Sequence, residues 1–253
     1  MQSSTAKALK KASGALTVSV TLDEKVGGKK PTEVEILSSI LRRSKIASLF
    51  VPQELVRMFA EEQKTAKGNF PGPCPLVLRE VVSDAEHIEL AASNGASAVI
   101  VRAGHADASS LCEQAKKKGL SVIWEVESAE EMKSCEEKGE NMLLVDEKNA
   151  DILSGASKTS VIIGRVSAMQ AQNEEVKKSR DMQSKGCCAI VLEDAVVGDG
   201  EDLPYVRWAM EAILSKASTE FKITGMTGHV NGHYGTGTFE RSDKQMEWKR
   251  KQA

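Results

Sequence analysis

Short apolar runs and longer amphipathic runs alternate along the chain from about residue 15 to residue 216. That alternation is the pattern of βα units around a parallel sheet. It is clearest over residues 119–145. There Gly119-Leu-Ser-Val-Ile-Trp-Glu-Val126 reads as a buried strand, an acidic amphipathic run follows, and Asn141-Met-Leu-Leu-Val145 reads as a second buried strand. The same reading predicts strands over 15–22, 46–51, 75–79, 98–102, 121–126, 141–145, 160–164 and 189–192. Helices are predicted around 32–43, 53–65, 84–94, 107–118, 128–138, 148–156, 168–185 and 203–216. Several open on a Ser, Thr or Asp in cap position, and Gly95, Gly119 and Gly139 close three of them. Eight strands, each followed by a helix, predict an α/β protein: a closed (βα)8 TIM barrel rather than an open doubly wound sheet. No GxGxxG follows the first strand, so a dinucleotide fold has little support.

Length agrees with this, since 253 residues at 41% hydrophobic content match one barrel and its appendages. We expect a flexible segment over 1–14, the barrel over 15–217, and a C-terminal arm over 218–253. A net charge of -2 and a pI near 6.2 give no general electrostatic hold on nucleic acid or an anionic membrane. Cys74, Cys112, Cys135, Cys187 and Cys188 form neither a CxxC pair nor a disulfide framework, which fits a reducing compartment. No run of 18 apolar residues is present, so no membrane-spanning segment is expected, and peripheral association stays open. The first 14 residues are rich in Ser and Lys, and no acid precedes Asp23. This fits the trailing end of an organelle transit peptide, with a chloroplast as one destination, or else an ordinary flexible basic terminus in a cytoplasmic protein.

Candidate chemistry begins with Glu125, at the C-terminal end of the predicted fifth strand, where barrel enzymes keep their functional groups. Such a carboxylate is either a general base or an ion-paired residue without catalytic work. Arg79, Arg102, Arg165 and Lys148 are all expected at strand C-terminal ends, where they could pair with Glu80, Glu125, Asp146 and Glu193. That would fill the mouth with protein charges.

Residues 76–145, including Leu76-Val-Leu-Arg-Glu80, Asp84 through Val101 and Gly119 through Val126, resemble the middle of indole-3-glycerol-phosphate synthase. Ala189-Ile-Val-Leu-Glu-Asp-Ala-Val-Val197 resembles that family's eighth strand and the helix start after it, and looser matches extend the likeness over about 15–216. The resemblance implies a barrel that closes an indole ring from a phosphorylated anthranilate sugar. Lysine would act as general acid, glutamate as base, and the last two loops would hold phosphate.

Measured against that pattern, this chain lacks most of the machinery. Glu80 stands where the general-acid lysine belongs, and a carboxylate can act as an acid at neutral pH only if its pKa is strongly raised. Ser19-Val20-Thr21 replaces a Glu-x-Lys pair, Asp146-Glu147-Lys148 an Asn-Asn-Arg run, and Gly164-Arg165-Val166-Ser167 a Ser-Glu-Ser-Gly run. Glu193-Asp194 replaces the phosphate-loop glycine, and two carboxylates there repel a phosphate. They are either helix-start caps or a site for a cation or an amine ligand. Glu125 and Glu80 remain the catalytic candidates, with no cofactor and no metal expected.

The arm differs in composition from everything before it. Residues 224–239 are nearly uncharged and rich in Gly and Thr, and Asn231-Gly232 is a turn signal. Phe221, Tyr234, Phe239 and Trp248 are the aromatic anchors expected of a docking segment, with His229 and His233 between them. The arm folds back on its own barrel, docks on another protein or membrane assembly, or is a disordered linker, a composition class its aromatics argue against. The reading this favours is a noncatalytic, indole-3-glycerol-phosphate synthase-like subunit, scaffold or assembly factor that contacts a protein partner through its arm. The alternative is a divergent, lyase-type barrel enzyme using mouth carboxylates on a small molecule.

Overall fold

The computed structural model describes residues 3–167, 174–197 and 203–215. Eight parallel strands close into a barrel in sequence order: β1 (Thr17–Leu22), β2 (Leu49–Val51), β3 (Leu76–Val81), β4 (Ala98–Arg102), β5 (Ser121–Glu125), β6 (Met142–Asp146), β7 (Val161–Val166) and β8 (Ala189–Val196). β8 returns to pair with β1, Thr17 against Ala189 and Val20 against Leu192, so no sheet edge is left open. The α/β TIM-barrel expectation therefore holds. Predicted and observed strands differ by a few residues at their ends, with β3, β7 and β8 running further toward the mouth than the apolar runs that signalled them.

Side chains alternate between two apolar layers, as the two-residue period of a strand requires. Phe50, Val77, Ile100, Ile123, Leu144, Ile163 and Val191 fill the barrel interior. Their neighbours Val51, Leu78, Val101, Trp124, Val145, Ile162 and Leu192 face outward into a second core beneath the helices. The strands are buried on both faces, which is why they read as near-continuous apolar runs.

The outer ring consists of α2 (Pro31–Arg43), α3 (Val56–Thr65), α4 (Ala85–Asn94), α5 (Ala108–Lys117), α6 (Ala129–Glu137), α7 (Glu174–Ser184) and α8 (Leu203–Leu214). Asp84 caps α4 by accepting from His87 N at 2.9 Å, and Ser128 caps α6 by accepting from Glu131 N at 3.2 Å. Gly95, Gly119 and Gly139 follow their helices in the left-handed region expected of C-terminal glycines. After β6 the structure departs from expectation. Residues 147–155 form a 3-10 segment rather than an α-helix, and its two buried side chains, Ala150 and Leu153, are three apart, the spacing that stacks on one face of a three-residue turn.

The N-terminal segment also departs from the flexible stretch expected over 1–14. Residues Ser4–Leu9 form a helix, α1, whose Thr5, Ala6 and Leu9 are buried. Ala6 and Leu9 belong to the interior apolar cluster, so α1 closes the end of the barrel opposite the mouth. Two polar ties hold it there. Thr17 Oγ1 donates to the Leu9 carbonyl at 2.7 Å, and Lys10 Nζ donates to the carbonyls of Lys158 and Ser160, each at 2.7 Å. A helix of six residues has no stability of its own in water. The sequence signal for flexibility was composition, and burial of Leu9 against the strand ends overrides it.

Candidate functional site: the barrel mouth

The strand period that buries Ile100, Ile123, Leu144, Ile163 and Val191 in the interior carries Arg102, Glu125, Asp146, Arg165 and Glu193, two residues further on, into the mouth. Register then brings opposite charges side by side. Arg102 pairs with Glu125 across β4 and β5, and Asp146 pairs with Arg165 across β6 and β7.

Glu125 is 5% exposed, and both its carboxylate oxygens are engaged. Arg165 Nη1 donates to Oε1 at 2.7 Å, and Arg102 Nε donates to Oε2 at 3.1 Å. Arg165 extends the network, with its Nη1 3.6 Å from Asp146 Oδ2 and its Nε 3.4 Å from Glu193 Oε1. Lys148 Nζ lies 3.8 Å from Asp146 Oδ2, and Arg102 Nη2 lies 4.0 Å from Glu127 Oε1. Donating to the Glu125 carboxylate, and then the charge of that carboxylate, raises the Arg102 pKa above its ordinary value. Removing a carboxylate from water is costly, and the two guanidiniums supply the charge-assisted bonds that offset it. A general base needs a lone pair aimed at the substrate proton, whereas each oxygen of Glu125 already accepts from an arginine.

The other expected site residues fall around this centre. Arg79 Nη1 donates to the Leu22 carbonyl at 3.1 Å, tying β3 to the end of β1. Glu80 points into the junction with the loop after β2, where its Oε2 accepts from Gln53 N at 3.2 Å. Burial, followed by the nearby Glu54 charge, raises the Glu80 pKa above its ordinary value, while backbone hydrogen bonds and Arg79 oppose the shift. Both polar atoms of the Gln53 side chain are buried there without a hydrogen-bond partner. Ser19 and Thr21 are buried on β1, and Ser19 Oγ shares a 2.8 Å hydrogen bond with Ser48 Oγ. Sequence reasoning missed Glu127, Gln53 and Ser48, the partner of Ser19. An acid two residues past Glu125 was a usable signal for the first; nothing in the local pattern marked the others.

No group of three or more His, Cys, Asp and Glu side chains with metal-binding geometry occurs among the described residues. No helix among them is long and apolar enough to cross a membrane. Phe221, His229, His233, Tyr234, Phe239 and Trp248 lie outside the described residues, as does the rest of the 218–253 arm.

The fold and mouth together define a (βα)8 barrel with a salt-bridged C-terminal end. No known protein family's profile matches the chain. No curated protein matches it either. Solved structures do. One, titled "Structure of a cube-shaped, highly porous protein cage designed by fusing symmetric oligomeric domains", is 12% identical with a TM-score of 0.53, over 94% of this chain and 77% of that chain. In all, 515 chains match, and at such low identity the likeness shows the fold alone.

Proposed function

We propose that this protein is a noncatalytic barrel, descended from an indole-3-glycerol-phosphate synthase-like ancestor, that works as a subunit, scaffold or assembly factor of a larger complex. The observation that carries the reading is the double arginine grip on Glu125, with Arg165 at 2.7 Å and Arg102 at 3.1 Å. It occupies with protein charge the place where an ancestral base would meet its substrate. Glu80 in place of a general-acid lysine and Glu193 in place of the phosphate-loop glycine point the same way. The contact device on this reading is the arm over 218–253, whose Phe221, Tyr234, Phe239 and Trp248 serve as anchors for a protein partner. The Ser- and Lys-rich N-terminal stretch fits an organelle, with the chloroplast as the first compartment to test by reporter fusion.

The test is native mass in a gentle extract of the protein's own cells, for the intact chain and for one ending at Lys216. The expected result is that the intact chain migrates in a large particle and the shortened one near the mass of a free barrel. Migration of both as small free species would remove the main support for a scaffold.

A second reading, a divergent lyase-type enzyme, is favoured by one observation: Glu80 has a raised pKa beside the unpartnered amide of Gln53. Burial is the means by which a carboxyl is turned toward acid chemistry, and it acts on Glu80 in that direction. Binding of a small molecule that is lost in both Glu80→Gln and Glu125→Gln would select it.

A further inference from the structure

The net charge of -2 is a sum over the whole chain and does not describe either end of the barrel. Strands are parallel and the helices return antiparallel to them, so α1, the strand N-termini and the C-terminal ends of the helices share the end opposite the mouth. Lys7 and Lys11 lie on and just after α1, Arg43 and Lys45 at the end of α2, Lys67 after α3, and Lys158 before β7. All six are exposed, and none makes an ion pair among the described residues. Glu61, Glu89 and Glu140 at this end are already engaged by Lys64, Lys118 and Lys116. Because Lys10 bonds to the loop that carries Lys158, the charges of α1 and of that loop belong to one surface.

At the rim of this basic end stands Phe70, 93% exposed. The connection that carries it is held firmly. Arg42 Nη1 donates to the Pro71 carbonyl, and Arg42 Nη2 is itself fixed by Glu62 Oε1 at 2.9 Å in a buried pair. Gln63 Oε1 accepts from Cys74 N at 2.8 Å, and Asn69 Nδ2 donates to the Thr65 carbonyl at 3.1 Å. Burying a phenylalanine side chain is favourable, so a well-anchored loop that holds one in water leaves that gain available to something else.

We propose that this end is a peripheral membrane-docking face, in which the basic residues lie on anionic headgroups and Phe70 enters the interface. Basic charge with a projecting apolar anchor is the combination that gives reversible binding to anionic bilayers. A single-stranded nucleic acid is a poorer fit, because it needs successive aromatic platforms along a groove. Phe70 is the one exposed aromatic among the large apolar side chains described, and it sits on a rim. The proposal is independent of the arm and of the assembly reading, and failure of either leaves the other standing.

The test is co-sedimentation of the full chain with phosphatidylcholine vesicles that contain or lack phosphatidylglycerol. Binding is expected only with phosphatidylglycerol, and added salt should release the protein. Arg43→Ser with Lys67→Ser should lower the partition coefficient about 30-fold, at the weight each basic residue carries near an anionic surface. Phe70→Ser should lower it about tenfold. All three sites are exposed, so unchanged circular dichroism melting verifies folding. Three outcomes overturn the proposal: no binding to the anionic vesicles, binding that both variants retain in full, or loss in the variants of RNA-oligonucleotide retention while vesicles go unbound.

Discussion

Arg165 and Glu125 stand 2.7 Å apart in the barrel mouth, although forty positions separate them in sequence. Two strand ends, β5 and β7, bring them together, with Asp146 of β6 between them in the ring of strands. The pair is the structural centre of the mouth, because Arg165 also reaches Glu193 while Glu125 also receives Arg102.

Removing one partner leaves a buried carboxylate with half its compensation. Arg165→Met should destabilise the protein by about 2 kcal/mol, less than the loss of a lone buried partner because Arg102 remains. Arg165→Met combined with Glu125→Leu should recover most of that loss, since an apolar pair of similar volume carries no desolvation cost. Urea midpoints of the two variants measure both effects. A single variant as stable as the parent chain would show that the pair does not hold the mouth together.

Glu80 gives the mouth a pH dependence with a definite sign. Its folded pKa lies above the ordinary value of 4.5, so the folded state takes up the proton more readily than the unfolded chain. Its contribution to stability is therefore greatest at pH below 4.5 and declines as pH rises from there through the folded pKa. Glu80→Gln removes the titrating group. Thermal melting between pH 4 and pH 8 should show a smaller loss of stability with rising pH in the variant, and parallel curves would contradict the burial argument.

Leu9 is fully buried at the closed end of the barrel. Leu9→Ala should lower stability by about 3 kcal/mol, as other buried leucines do when a cavity is left. Loss of less than 0.5 kcal/mol in a denaturant titration, the level of an exposed site, would mean that α1 is dispensable.

The cysteines are expected to be chemically quiet. Burial pushes the thiol pKa of Cys74 and of Cys187 up to about 12, and that of Cys135 to about 11. Thiolate is the nucleophile, so N-ethylmaleimide at neutral pH should leave these three unmodified in the folded protein and modify them in denaturant. Peptide mass spectrometry reads both states, and rapid labelling of folded Cys187 would contradict its burial.

What the sequence made legible follows from periodicity. A strand buried on both faces is written as an apolar run and a surface helix as an amphipathic one, so eight repeats of the pair were countable, and the charges after each run marked the mouth. Arg102, Glu125, Asp146 and Arg165 were therefore locatable as mouth residues before their contacts were known. Segments with weak periodicity were read less well. Composition over 1–14 predicts a flexible segment where Ser4–Leu9 forms α1, and the helix expected around 148–156 is a 3-10 segment whose buried Ala150 and Leu153 are three apart.

The sequence by itself determined the fold class and the set of charges at the strand ends, because alternation of burial along a strand is a local property of the chain. Only the tertiary structure decided which of those charges meet. That depends on strand register and barrel closure, which place Arg165 rather than a substrate against Glu125. It depends equally on long-range packing that seats Leu9 under the strands and leaves Phe70 in water, since burial is settled by what the rest of the chain brings alongside.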